Sequence, residues 1–274
     1  MSAAVATAER SIASAVDLSR YPLDDLDGPS ASALIAECRR QLAATGSCLL
    51  QHFLTDEATA AMAAEARALE PLAHRERHNQ STAYLEAPDE SFPEGHPKRR
   101  LQPTSVGAIA YDLIPRGSLI RRLYEWDGLL LFLERALGRG ALYRYADPLG
   151  GLNVAAMGAG EALLWHFDQT DFVVSLMLQK SDRGGVFEYV PRIRSAEAAN
   201  YDRVERLLEG SRAEVIELDL EPGTLALFEG RHSIHRVSPI EGPTTRLIAL
   251  LGYDTKSGTM SSDRLKLRRY GRIS

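Results

Sequence analysis

A run of about eight short apolar segments fills the second half of this chain and constrains its fold more than any other feature. The segments are rich in β-branched, aromatic and aliphatic residues, and the gaps between them carry Gly, Pro and Asp, as strands and turns require. The predicted strands cover residues 141–145, 152–157, 162–178, 185–190, 213–218, 224–228, 233–237 and 246–253. Strands at this spacing predict a sandwich or a jelly-roll barrel.

The first half of the chain has the periodicity of amphipathic helices. Apolar residues recur at helical intervals over residues 32–42, 55–69 and 118–137, and one strand is predicted at 47–53. A helical insert at 196–209 interrupts the later strands. We therefore expect an α+β fold, mainly β, whose N-terminal helices pack on one sheet of the core.

Composition and charge limit what the chain does. With 274 residues, 45% hydrophobic and 25% charged, it has the composition of a globular protein. Its net charge of −5 argues against a general nucleic-acid binder. No apolar run approaches the ~20 residues of a membrane span, and two cysteines suit a reducing compartment. We expect a cytoplasmic protein without nucleic-acid or membrane partners.

One domain is expected, with segments attached at both ends. Residues 1–30 are predicted to form a flexible leader, 31–256 a single domain, and 257–274 a basic C-terminal tail. The leader has apolar residues with which to dock on the body, and the tail either stays in solvent, pairs with the leader or folds over the barrel mouth. The polar loop at 71–103 is either a lid over the substrate or a solvent-exposed loop without a function in binding, and the sequence favours neither.

His166 and Asp168 stand two residues apart in the longest apolar segment. Because side chains alternate along a strand, both project from one face, and Trp165 and Phe167 project from the other. An imidazole and a carboxylate so placed are two of the three ligands of a 2-His-1-carboxylate iron site. The alternative for His166 is a hydrogen-bonded core histidine.

A second histidine-containing stretch begins about 60 residues later. It contains His232 and His235, and Arg246 stands eleven residues past His235. The intervening residues 238–245 include two prolines and a glycine, so a hairpin is predicted that places His235 and Arg246 on neighbouring strands. His232 is a rival for the third metal ligand.

This order of residues resembles the Fe(II)/2-oxoglutarate-dependent dioxygenase superfamily, in which a His-x-Asp pair precedes a distal histidine and an arginine. Residues 222–228 and 184–188 are similar to the segment before that histidine and to the glycine pair after the His-x-Asp strand. The resemblance covers about residues 32–256 and, with residues 152–154 and 250–254, extends to a bacterial group related to free amino-acid halogenases and hydroxylases. It implies a double-stranded β-helix (jelly-roll, cupin-like) core.

The resemblance also implies roles for individual residues. His166, Asp168 and His235 are expected to bind Fe(II), and Arg246 to bind the distal carboxylate of 2-oxoglutarate, with O₂ as the oxidant. A guanidinium suits this role because it donates two parallel charge-assisted hydrogen bonds. Asn153 is placed near the cosubstrate, with a hydrogen bond to backbone as an equal alternative.

The resemblance also suggests a reaction type. In the related halogenases a small residue replaces the carboxylate and leaves a coordination site for chloride. Asp168 therefore favours hydroxylation, and the expected substrate is a small molecule, an amino acid or a related metabolite. The alternatives are a zinc hydrolase with the same ligands and a non-catalytic jelly-roll binding protein. The oligomeric state is not predictable from the sequence.

Overall fold

The structure is a computed structural model that describes residues 12–76 and 80–274. The predictions for residues 1–11 of the leader and 77–79 of the loop fall outside these residues. The helices that lie wholly within the described chain are α1 (Pro29–Thr45), α2 (Asp56–Leu69), α3 (Leu119–Glu125), α4 (Asp127–Leu137), α5 (Tyr201–Leu208) and α6 (Asp263–Tyr270). Two 3₁₀ turns lie at Glu70–Leu72 and Tyr111–Leu113.

The strands are short and mostly follow the predicted segments. They are β1 (Ser47–Leu50), β2 (His74–Arg75), β3 (Gln80–Ser81), β4 (Gln102–Pro103), β5 (Gly107–Ile109), β6 (Tyr143–Arg144), β7 (Leu152–Met157), β8 (Leu163–His166), β9 (Val173–Gln179), β10 (Arg183–Gly184), β11 (Phe187–Val190), β12 (Ile216–Leu218), β13 (Leu225–Phe228), β14 (Ile234–Val237), β15 (Ile240–Glu241), β16 (Arg246–Leu251) and β17 (Tyr253–Asp254).

Two antiparallel sheets face each other and form the core. The larger sheet has seven strands in the order β1-β13-β9-β16-β7-β5-β2, and the smaller has four in the order β12-β11-β14-β8. Side chains join them across the interior, because Tyr189 on β11 hydrogen-bonds Ser47 on β1 (3.1 Å between hydroxyl oxygens) and Phe187 packs edge-on against Phe228 (5.1 Å between ring centroids). This arrangement confirms the predicted jelly-roll core.

The helices cover the outer face of the larger sheet. Along β7 the alternate residues Leu152, Val154 and Ala156 are fully buried against the helical layer, whereas the other three side chains face the smaller sheet. Helix α1 packs on α4 and β1, and α2 packs on β9. Each fully buried leucine or phenylalanine in this layer contributes about 1.5–3 kcal/mol. The larger sheet is therefore a rigid support whose inner face is free for a site.

Two predicted elements are divided in the structure. The helix predicted at 118–137 is broken at Trp126, whose extended backbone (ψ 124°) separates α3 from α4. The indole ring folds over Gly128, where a Cβ would lie 2.4 Å from it. The strand predicted at 162–178 is broken between β8 and β9, which belong to different sheets.

The predicted hairpin between His235 and Arg246 is wrong. Strand β14 belongs to the smaller sheet and β16 to the larger one, so residues 238–245 cross between the sheets. The backbone of Ile240 exchanges hydrogen bonds with Gly160 and Glu161, and β15 pairs with β10. These partners hold the segment away from β14, so His235 and Arg246 lie on different sheets and not on neighbouring strands of one sheet.

Both ends of the described chain pack on the body. Ile12, Val16, Tyr21 and Leu23 are buried, so the described part of the leader packs against the body. The tail contains α6, which packs near β2 and β5. Among the described residues, no helix is both long and apolar enough to cross a membrane. The domain limits themselves remain a prediction.

Candidate metal centre

The three expected metal ligands converge at one end of the smaller sheet. His166 ends β8 and lies directly opposite His235 on β14, with 4.1 Å between the ring centroids. Asp168 follows two residues after His166, and its carboxylate oxygens lie 3.9 Å from His166 Nε2 and 3.5 Å from His235 Nε2. One ligand atom from each residue lies within 4.8 Å of the other two. This spacing suits one metal ion.

Both imidazoles present Nε2 to the space between the three residues. His166 Nδ1 lies 2.8 Å from the carbonyl oxygen of Leu164, and His235 Nδ1 lies 3.0 Å from that of Ser233. Each Nδ1 therefore carries the proton and donates a hydrogen bond to a carbonyl, which leaves the Nε2 lone pair for a metal. Burial and the neighbouring His235 lower the pKa of His166 to about 3, so this ring is neutral at pH 7.

The metal strand, which we define as residues 163–168, has its outward side chains packed as predicted. Trp165 and Phe167 are buried in an apolar cluster on the opposite face. The Phe167 N–H donates to the carbonyl of Ala83 (2.8 Å), a residue of the polar loop. Arg194 lies over the Phe167 ring (3.8 Å from Cζ to the centroid) and donates two hydrogen bonds to the Arg231 carbonyl. Arg194 thus ties the metal strand to the turn before β14, a role the sequence did not indicate.

Gly230 is a second residue that sequence reasoning missed. A Cβ at this position would lie 1.8 Å from Asp168 Oδ2, and the Gly230 carbonyl accepts the Asp168 N–H (3.1 Å). Only glycine allows the backbone to approach the carboxylate this closely. In the sequence this glycine was indistinguishable from any turn glycine.

Arg246 is fully buried on the inner face of the larger sheet, 2% exposed. Its Nε donates to the carbonyl of Gly185 (3.1 Å), and its Nη2 has no hydrogen-bond partner among the described residues. Burial lowers the pKa of Arg246 to about 10, so the guanidinium stays charged at pH 7. A buried cation with an unused donor fits the carboxylate of a dicarboxylate ligand. Gly185, in left-handed conformation (φ 64°), belongs to the predicted glycine pair.

Among the three converging residues, Asp168 shows the same lack of a partner. Asp168 Oδ2 is buried without a hydrogen-bond partner in the described chain. A buried carboxylate oxygen is costly to leave unsatisfied, and a cation would satisfy it. Two imidazoles and one carboxylate are the donor set of non-haem Fe(II) sites with open positions. The residues present therefore fit Fe(II), and the buried Arg246 guanidinium fits an anionic ligand.

Asn153 lies on β7 with its side chain on the same inner face as Arg246. Its cross-strand partner is Leu250, four residues along β16 from Arg246, which separates the two positions by about 13 Å along the strand. The side chain is buried. Its role near the cosubstrate stays a prediction.

Two other candidates lie beside the centre and outside the ligand set. His232 and Arg231 sit in the turn before β14, and His232 is not among the three converging residues. The polar loop runs along β8, because Gln102 donates to the Trp165 carbonyl (2.9 Å) and Ala83 accepts from Phe167. The described part of the loop therefore covers the free edge of the metal strand. A lid function remains a prediction.

Comparisons with known proteins agree with this geometry. The family model described as halogenase D matches residues 30–264. A search of curated proteins found no match.

Several solved structures share the fold at low sequence identity. A prolyl hydroxylase from Trichoplax adhaerens, solved with a hypoxia inducible factor peptide, has a TM-score of 0.54 and 18% identity over 81% of this chain and 89% of that chain. An oxidoreductase of the 2OG-Fe(II) oxygenase family from Burkholderia pseudomallei has a TM-score of 0.51 and 15% identity over 82% and 92%. The epimerase SnoN, in complex with Fe3+, alpha ketoglutarate and nogalamycin RO, has a TM-score of 0.54 and 16% identity over 81% and 84%.

At these identities the solved structures establish the fold alone. The family model, in contrast, spans the helical layer, both sheets and the start of α6. The chain therefore belongs to the halogenase D family and has the jelly-roll fold of the Fe(II)/2-oxoglutarate oxygenases.

Proposed function

We propose that this protein is an Fe(II)- and 2-oxoglutarate-dependent oxygenase that hydroxylates an unactivated C–H bond of a small molecule, an amino acid or a related metabolite. His166, Asp168 and His235 would hold the metal, and Arg246 would hold the distal carboxylate of 2-oxoglutarate. Fe(II), 2-oxoglutarate and O₂ together supply the oxidising power, and CO₂ and succinate are released.

The observation that carries the proposal is a pair of unsatisfied buried groups. Asp168 Oδ2 lacks a partner at the metal centre, and Arg246 Nη2 lacks one on the facing sheet, among the residues that the structure describes. An isolated charge inside a protein is strongly unfavourable, so each calls for a counter-charge. Asp168 would receive its counter-charge from a ferrous ion, and Arg246 would receive its counter-charge from the carboxylate of a 2-oxo diacid. A hydrolytic zinc site would leave Arg246 without a function.

Asp168 favours hydroxylation over halogenation within a family described as halogenase D. A carboxylate in the ligand set occupies the position that a halide would need, and it brings one negative charge to the metal. The close contact between Asp168 and the Gly230 backbone keeps this carboxylate directed at the imidazoles. We therefore infer that the product carries a hydroxyl group and not a halogen.

The remaining residues near the centre orient the ligands and exclude water. Phe187 stacks on the His235 ring (5.4 Å between centroids, 21° between planes), and Phe228 contacts its edge (4.8 Å). These rings cover the imidazole on the interior side and leave its Nε2 edge directed towards the other ligands. A dry, preorganised wall of this kind strengthens charge interactions at the metal.

Substitution of Asp168 tests the proposal. The Asp168→Ala variant is expected to lose succinate formation with Fe(II), ascorbate, 2-oxoglutarate and a panel of free amino acids, while its circular dichroism stays that of the wild type. Asp219→Ala removes an exposed carboxylate that pairs with Lys180, and it serves as the matched control. Full oxygenase activity in Asp168→Ala would show that the ligand assignment is wrong.

Chloride in the same assay separates the two reaction types. Mass spectrometry of wild-type products should show one added oxygen atom and no chlorine at any chloride concentration. A chlorinated product from the wild-type protein would refute hydroxylation. Absence of succinate with every substrate, in a protein that binds Fe(II), would refute the oxygenase function as a whole.

A further inference from the structure

A pocket of about 220 Å³ lies beside the metal centre, on the turn between β13 and β14. None of the proposed metal or cosubstrate residues lines it. The lining residues are Arg139, Asp171, Arg192, Glu229, Arg231 and His232.

Only the backbone of Gly230 separates the pocket from the carboxylate of Asp168. Glu229 and Arg231 flank Gly230, which touches the Asp168 carboxylate. Asp171 follows Asp168 by three residues and pairs with Arg231. A small molecule bound in the pocket would therefore lie next to the ligand sphere and on the same turn.

The charges of the lining residues do not balance. Three guanidinium groups face two carboxylates, because Arg139 and Arg192 share Glu229, and Arg231 and Arg139 share Asp171. Arg192 also donates to the carbonyls of Leu42 and Ala43 near the end of α1. The surplus of positive charge excludes a cation as the occupant and favours an anion.

Unused donors point in the same direction. Arg231 uses Nε on Asp171 and Nη2 on the carbonyl of Gln169, which leaves Nη1 without a hydrogen bond to the described residues. His232 Nδ1 is buried and likewise has no partner within the described chain. A guanidinium with an unused N–H at a pocket, beside a buried imidazole nitrogen that has no partner, is suited to bind an oxyanion.

We propose that this pocket binds the oxyanion group, a carboxylate or a phosphate, of the molecule presented to the metal, with Arg231 and Arg139 as the charged donors. The assignment rests on the proposed function, and it names the anionic end of the substrate as the part recognised. Arg231 is then a specificity residue, because it acts on binding and not on the oxidation step.

The first experiment measures anion binding alone. Inorganic phosphate and acetate are titrated into the full-length protein at constant ionic strength by isothermal calorimetry. Arg231→Gln and Arg139→Gln are expected to weaken binding about tenfold or more, since each removes a charge-assisted hydrogen bond. Arg40→Gln, which removes an exposed arginine paired with Glu37 on α1, should bind as the wild type does. Arg246→Gln should also retain binding, which separates this pocket from the cosubstrate site.

Loss of binding in Arg246→Gln with retention in Arg231→Gln would overturn the proposal, as would failure of the wild type to bind either anion. Both pocket variants must keep the wild-type melting temperature within the change seen for Arg40→Gln. If one of them unfolds, the other still decides the question, because the two arginines lie on separate segments.

The second experiment tests whether the anion belongs to the substrate. With the amino acid that gives the highest succinate formation, Arg231→Gln should raise the KM for that amino acid about tenfold and leave the KM for the cosubstrate unchanged. Replacing the amino acid by its amide should raise the KM of the wild type by a similar factor and should raise the KM of Arg231→Gln little further. Lost phosphate binding with an unchanged KM for the amino acid would overturn the substrate assignment in favour of a free anion. Absence of succinate with any amino acid would instead count against the proposed function, and the phosphate titration would still stand.

Discussion

The close approach of Gly230 to Asp168 gives the sharpest test of how the metal centre is built. In Gly230→Ala the new methyl group would start 1.8 Å from Asp168 Oδ2, whereas ordinary contacts begin near 3.4 Å. The carboxylate would have to move by about 1.6 Å, far more than the ~0.2 Å tolerance of metal-ligand distances. Gly230 lies outside the left-handed region, so its backbone accepts alanine without strain.

The expected loss is therefore in the metal site and not in folding. Displacing a ligand or its support typically weakens metal affinity about 10- to 100-fold, or about 1.4–2.7 kcal/mol. Anaerobic calorimetric titration with Fe(II) measures this affinity, and succinate formation reports the activity that remains. Urea denaturation of the metal-free protein should show a much smaller change.

Gly117→Ala is the matched control, because a Cβ at Gly117 meets no heavy atom within 4 Å and its backbone is also outside the left-handed region. It should bind Fe(II) and form succinate as the wild type does. Wild-type Fe(II) affinity in Gly230→Ala would refute the reasoning, since it would mean that Asp168 does not depend on this contact. Equal losses in both variants would also refute it.

Two further substitutions test the buried charges. Arg246→Lys keeps the charge but loses the forked donor and the bond to Gly185, so the KM for the cosubstrate in the succinate assay should rise about 10- to 100-fold; an unchanged KM would place the cosubstrate elsewhere. Burial raises the pKa of Glu188, but hydrogen bonds from Arg212 and Arg236 outweigh it and hold the pKa below its usual value. Glu188→Gln should therefore lower the free energy of unfolding by about 2 kcal/mol at pH 7. This figure is kept small because Arg212 is partly exposed and solvent weakens its ion pair. The pKa of Glu188 is lower in the folded state than its unfolded value of 4.5. The stability difference between wild type and variant should therefore be complete above pH 4.5 and should shrink as the pH falls through the folded-state pKa. Urea denaturation across that pH range measures it.

The parts of the structure that depend on local chain geometry were predictable. The bounds of β7 follow from its apolar run, and the opposite faces of His166 and Phe167 follow from strand alternation. The convergence of His166 with His235 was expected from the resemblance and not from spacing, because no local rule fixes which distant strands become neighbours. The register that sets them opposite each other is a property of the folded sheet.

The failures share one cause, which is that contacts formed only in the folded chain are not encoded locally. Residues 238–245 have the composition of a hairpin, yet their hydrogen bonds go to Gly160, Glu161 and β10. The break at Trp126 depends on an indole ring that folds over Gly128, and apolar periodicity continues through it. Gly230 is likewise recognisable only when Asp168 is already beside it. Contacts of this kind come from tertiary packing, which a single sequence does not reveal.

The position of β8 at the end of the smaller sheet has a consequence for anyone who shortens this protein. An unpaired outer strand exposes backbone N–H and C=O groups that recruit strands from other molecules. Here the polar loop forms hydrogen bonds with the carbonyl of Trp165 and the N–H of Phe167. Trimming the loop to widen access to the proposed metal site would expose this strand edge beside two large aromatic side chains. We expect the shortened protein to self-associate and precipitate before any change in its activity is measured.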